Sequence, residues 1–161
     1  MKEIGFLSLD AQRVGLMTVR LKVVNRKEFE DKIKKMSAKT LANVRKTVRV
    51  TANETRNTAV NSILQNARSG GEVKRSNPSR TIRISKEGSP PASDTGFLAS
   101  NIYLIMDGDQ LGASVESRAE YSKFLEFGTL KMRARPFMQP ALEQGKRKYR
   151  RMFEKAVKDG I

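Results

Sequence analysis

The sequence predicts an α+β fold in which a long N-terminal helix and a C-terminal helix pack on a small antiparallel β-sheet. Three observations carry that expectation. Met17, Val19, Leu21 and Val23 alternate with polar Thr18, Arg20 and Lys22, the period of a half-buried strand. Between Glu28 and Arg68 there is neither Pro nor Gly, and apolar or small residues recur at helical steps. Asp107-Gly108-Asp109 separates two further strand-like runs, and Asp-Gly between such runs is a hairpin signal.

A chain of 161 residues is read as a single domain over 1–161, with a core of useful size. It divides into an N-terminal strand segment (1–26), a long helix (27–68), a flexible loop (69–95), and a hairpin, clasp and C-terminal helix (96–161). Asn25 is a candidate cap for the first helix. The helical stripe runs through Phe29, Ile33, Met36, Leu41, Val44, Val48, Ala52, Ala59, Ile63 and Ala67, with Thr55 bridging the widest gap. It is thin and rich in Val, Thr and Asn, so it needs packing partners, and a break near Thr51 is one way to shorten so long a helix. A coiled coil competes with this reading, but the spacing drifts and the seam is poor in Leu.

Ser69-Gly70-Gly71 stops the helix. Pro78, Gly88, Pro90 and Pro91 punctuate the loop, leaving at most a short strand over 81–84. Asp94 to Ser100 reads as a cap and one helical turn. In the hairpin, Leu111, Ala113 and Val115 are expected to face inward, and Ser114 and Glu116 outward. Tyr121 to Phe127 forms a short helix ending at the Gly128 turn. Pro136 then launches a helix over 137–158, with an apolar stripe of Phe137, Ala141, Leu142, Tyr149, Met152, Phe153 and Ala156.

The residues exclude much chemistry. There is no Cys and no His, which removes thiolate sites, the commonest general base and the commonest metal ligand. Asp107 with Asp109 is ordinary turn composition, and no third acid is placed for a metal. Glu126, beside Phe127, is expected to pair with Arg133 or Arg135 across the Gly128 turn. No phosphate loop, nucleophile elbow or zinc signature is present. The expectation is a protein that is not an enzyme and carries no cofactor. No run approaches the ~20 apolar residues of a membrane span, and the first ten residues lack a signal peptide's apolar core. A protein made in the cytoplasm without membrane contact is expected.

The net charge is +15, from 32 Lys and Arg against 17 Asp and Glu, which calls for an acidic partner. Between Pro90 and Leu130, however, the chain carries six acids and two bases. Opposite signs on different surfaces suit head-to-tail assembly. The basic residues singled out as facing a neighbouring copy or DNA are Lys74, Arg75, Arg80, Arg83, Lys146, Arg147, Lys148, Arg150 and Arg151. A basic DNA-binding or packaging-associated protein is the alternative reading, although no nucleic-acid-binding motif is visible.

Three strings order the second half of the chain: Asp94-Thr95-Gly96-x-Leu98-x-x-Ser100-x-Ile102, then Tyr121-x-x-x-Leu125-Glu126-Phe127-Gly128-Thr129, then Arg135-Pro136-Phe137-Met138-x-Pro140-Ala141-Leu142. With the long helix before them and a helix after, they resemble a tail-component family of long-tailed bacteriophages over roughly residues 28 to 157. That family is typified by the tenth gene product of a lambdoid siphophage and is described as head–tail joining or tail-completion proteins. The strand-like segment before the helix is a departure from its pattern. The resemblance implies a virion protein of the neck or upper tail, made in the bacterial host cytoplasm. It further implies a homo-oligomeric ring, commonly sixfold, that meets neighbouring neck, adaptor or tail-tube proteins, with non-specific DNA contact in the channel. Tyr121, Phe124, Glu126, Phe127, Gly128, Thr129, Arg135, Pro136, Phe137 and Pro140 then read as a structural clasp, with Phe124, Phe127 and Phe137 anchoring the hairpin to the last helix.

Overall fold

The computed structural model describes residues 17–21, 37–66, 70–76 and 79–159. In chain order the elements are β1 (Met17–Leu21), α1 (Ala38–Leu64), β2 (Glu72–Ser76), β3 (Ser79–Arg83), α2 (Phe97–Ser100), β4 (Ile102–Met106), β5 (Ala113–Ser117), α3 (Ser122–Phe127) and α4 (Met138–Lys158). The fold is α+β, with long helices near both ends of the described chain. Strands β1, β5 and β4 form an antiparallel sheet in that order, and β2 and β3 form a second, two-stranded one. Asn25, Phe29, Ile33, Met36 and Ala67 lie outside the described residues.

Helix α1 begins where Ser37 Oγ accepts the Thr40 amide, an ordinary N-cap. It runs 27 residues without a break at Thr51, about 40 Å at 1.5 Å per residue. The Thr51 and Thr55 hydroxyls bond back to the carbonyls of Thr47 and Thr51 at 3.0 Å, so these polar side chains are satisfied within the helix while buried. The helix stops at Leu64 rather than Arg68, with Gln65 as its C-cap, and the Asn66 side-chain amide beyond it donates to the Pro90 carbonyl. Its stripe of Val44, Val48, Ala52, Thr55, Ala59 and Ile63 is buried against α4, α2 and the hairpin strands β4 and β5.

Helix α4 lies along α1. Gly145 leaves room for Tyr149 one turn further along the same helix, since a Cβ there would sit 2.1–2.4 Å from the Tyr149 phenol. That ring lies over the backbone at 145 and places its hydroxyl 3.1 Å from Thr55 Oγ1, joining the two helices.

Four expectations change here. The stretch 69–95 holds the antiparallel hairpin β2–β3 rather than a loop with one short strand. Gly70 and Gly71 extend its pairing by bonds with Ile84 at 2.8 and 3.0 Å. The turn between β4 and β5 is not a two-residue Asp-Gly turn. It spans 107–112, closed by the Asp107 amide on the Gly112 carbonyl at 2.9 Å, and the left-handed residue is Gln110 (φ 61) rather than Gly108. Arginines of α1 hold that tip, Arg45 Nε donating to the Asp109 carbonyl at 3.1 Å and Arg49 reaching Gln110 Oε1 at 3.5 Å. Ala113 and Val115 are buried as the alternation requires, but Ser114 is buried too. It sits on the middle strand, where both neighbours shade a short side chain. Finally, α4 starts at Met138 with Phe137 as its N-cap, so Pro140 rather than Pro136 occupies the first turn.

Candidate assembly surface

Glu126 and its partners fix the geometry between α3 and α4. The first turn of α4 has no acidic residue, and the N-cap, Phe137, has no side-chain acceptor. A helix begun that way leaves its leading amides unpartnered. Glu126 supplies what is missing. One carboxylate oxygen accepts the amides of Phe137 (2.7 Å) and Met138 (3.1 Å), and the other accepts that of Gln139 (2.8 Å). The next residue, Pro140, has no amide hydrogen. Every leading N–H is therefore accounted for, by an anion at the positive end of the helix dipole. The expected ion pair across the Gly128 turn is not formed: Arg133 Nε instead meets Glu87 at 3.4 Å. Arg135 donates its backbone amide to the Leu125 carbonyl at 2.6 Å, and its Nε is buried without a hydrogen-bond partner among the described residues.

Gly128 lets the chain reverse. It has φ +77, and a Cβ there would lie 2.8 Å from both the Ala134 nitrogen and the Met132 oxygen. Thr129 closes the turn by pairing with Met132, its amide 2.7 Å from that carbonyl, and its Oγ1 accepts the Lys131 amide.

The two faces of α3 are inverted with respect to ordinary core logic. Glu126 is 3% exposed and Ser122 fully buried, whereas Phe124 and Phe127 are 47% and 51% exposed. Of the three phenylalanines expected to anchor the hairpin, only Phe137 is in the core. The reason is that the inward face of α3 meets a row of amides, which demands a carboxylate there and turns the rings outward. Tyr121, Phe124 and Phe127 lie three apart on one ridge. Phe97 of α2 extends that ridge, with its ring centroid 6.3 Å from that of Tyr121, and exposed Leu130 follows. Lys123 lies 5.1 Å from the Phe124 ring centroid. Arg118, just after β5, sits 4.4 Å over the ring of exposed Tyr103 on β4. Partial burial raises the Tyr121 hydroxyl above its ordinary pKa, an effect that Arg75 opposes and Asp94 reinforces. Phe97, Tyr121, Phe124 and Phe127 thus leave large apolar rings at the surface. Sequence reading missed Phe97 as a member of this group, because it lies 24 residues before Tyr121 and shares no local pattern with it.

The basic residues do not converge on one site. Arg75 meets Asp94 at 3.7 Å, and Lys74 is exposed on β2. The side chains of Arg80 and Arg83 lie outside the described part of the structure. On α4, Lys146 pairs with Glu143 (3.5 Å), Arg150 with Glu154 (3.2 Å) and Lys148 with Glu54 of α1 (2.9 Å). The Glu54 hydrogen bond and charge raise the Lys148 pKa. Arg147 and Arg151 are exposed on the same helix. Asp109 Oδ1 accepts the Leu111 amide at 2.9 Å within the hairpin turn, and no group of acids among the described residues could hold a metal ion. No helix among the described residues is long and apolar enough to cross a membrane.

A family model described as "Bacteriophage HK97-gp10, putative tail-component" matches residues 27–128, more than half of the chain. No curated protein and no solved structure matches the chain.

Proposed function

The chain belongs to the HK97-gp10-like family of bacteriophage tail components, and from that premise we propose that it is a non-enzymatic structural subunit of the neck or upper tail. It joins or completes the tail at the head–tail interface as a homo-oligomeric ring, and it touches neck, adaptor or tail-tube neighbours. The observation that supports this reading is the exposed ridge of Phe97, Tyr121, Phe124 and Phe127. Phe124 and Phe127 are not needed to close the fold, because Glu126, bound to the amides of α4, lies on the inward face of α3, and Phe97 on α2 is exposed as well. Aromatic side chains left on a surface in this way are the usual anchors of protein–protein contacts.

Sedimentation velocity on wild type and a Phe124→Ser/Phe127→Ser double variant tests the reading. The expected outcome is that wild type forms a discrete closed oligomer, visible as rings by negative-stain microscopy, while the variant stays monomeric with an unchanged far-UV spectrum. A wild type that remains monomeric at high concentration in both low and moderate salt would end the proposal.

A further inference from the structure

The aromatic ridge and the outer face of α4 have different chemistry, which points to different classes of partner. Arg147, Arg151, Lys155 and Lys158 follow one another at steps of four, four and three along α4, a single ridge spanning about 16 Å at the helical rise. None of the four has an ion-pair partner among the described residues, whereas Lys146, Lys148 and Arg150 beside them do. The ridge borders a shallow open groove of about 450 Å³ lined by Gln144, Arg147, Lys148, Arg151, Met152 and Lys155. No carboxylate and no aromatic lines it, and Met152 is its one apolar side chain.

We infer that this ridge of α4 binds the phosphate backbone of double-stranded DNA without reading its sequence. A row of unpaired cations on a stiff rod matches a linear polyanion, which presents a phosphate every ~3.4 Å along each strand. Arginine suits phosphate because its planar fork donates two parallel hydrogen bonds and is weakly hydrated. The absence of aromatic anchors from the groove argues against a protein partner here and against base stacking. The ridge shares no residue with the aromatic surface, so the inference does not depend on ring formation.

Fluorescence anisotropy of a labelled random-sequence duplex, titrated across salt, tests it. The full-length protein is compared with Arg147→Gln/Arg151→Gln/Lys155→Gln and with a Lys39→Gln/Lys46→Gln control on α1. All three are also measured in the Phe124→Ser/Phe127→Ser background, which separates DNA contact from self-association. Four phosphate contacts predict a log–log salt slope near −4 and about a hundredfold loss of affinity between about 50 and 200 mM salt. The triple variant should flatten that slope by about three, with the control nearly unchanged. Three results would overturn the inference: no duplex binding at low salt, equal losses in the triple variant and the control, or displacement by polyglutamate as effective as by unlabelled duplex. The last would assign the ridge to an acidic protein surface instead.

Discussion

The two faces of the short helix α3 obey opposite rules. Toward the core it presents Ser122 and Glu126 beside a partly buried Leu125, and toward solvent it presents Tyr121, Phe124 and Phe127. Helix α1 does the reverse, burying Val44, Val48, Ala52 and Ile63. The difference lies in what each helix meets. Helix α1 meets side chains, and removing apolar area from water drives their contact. Helix α3 meets the unpartnered amides that open α4, where burial without an acceptor is costly. A carboxylate is the group that satisfies three donors at once. The rings displaced to the outside remain available to a partner.

Substitutions can break that contrast, and their expected effects form a descending series. Gly128→Val should be the most severe, since φ +77 and contacts of 2.8 Å with backbone leave no room for a branched side chain. The expected outcome is loss of soluble folded protein, checked by circular dichroism and gel filtration. Glu126→Ala leaves three amides unsatisfied and should cost about 3–5 kcal/mol in urea unfolding. Glu126→Gln, which keeps one acceptor oxygen, should lie between it and wild type. Phe137→Ala, which empties a fully buried ring site, should cost a similar 3–5 kcal/mol or so. A stable, assembly-competent Phe137→Ala protein would show that this junction is not the brace described.

Tyr149→Phe comes next, at about 1 kcal/mol for the Thr55 hydrogen bond, and it also carries a pH signature. Burial raises the Tyr149 pKa above its ordinary value, so the folded state favours the neutral phenol. That contribution is complete below about pH 10, where the unfolded phenol begins to ionise, and is lost as pH climbs through the raised folded value. Thermal melts of wild type should fall in that alkaline window, and melts of the variant should fall less. Phe124→Ser/Phe127→Ser closes the series, with a stability change within about 0.5 kcal/mol, as for surface positions. A large loss of stability there would mean that the rings support the fold after all.

What could be read from sequence followed from regular periods. The helical spacing of Val44, Val48, Ala52, Ala59 and Ile63 located the buried stripe of α1, and alternation located Ala113 and Val115. Both are repeated decisions made by burial, so they leave a pattern. The unread features are single decisions. The destination of Glu126 depends on where the start of α4 lands in space, and the arginines just across the Gly128 turn, Arg133 and Arg135, were the wrong partners. Phe124 and Phe127 misled because an aromatic near a Gly turn has the same local context whether it is buried or presented to a neighbour. Gln110 took the left-handed position although Gly108 lies two residues before it, in a turn whose contacts come from α1, 61 to 64 residues away. One signal was present: a helix without a Ser, Thr, Asp or Asn cap, preceded by an isolated glutamate.

The bond between Thr55 and Tyr149 spans 94 residues, and its consequence concerns the ribosome. While the chain is being made, α1 leaves the exit tunnel long before the helix that covers it. Its Val and Thr face stays wet, with little intrinsic drive to hold a helix. By contrast, Glu126 reaches the amides of α4 across only 11 to 13 residues. The α3–α4 corner therefore closes a short loop and needs no earlier part of the chain, whereas the face of α1 is covered only once the last helix has been made.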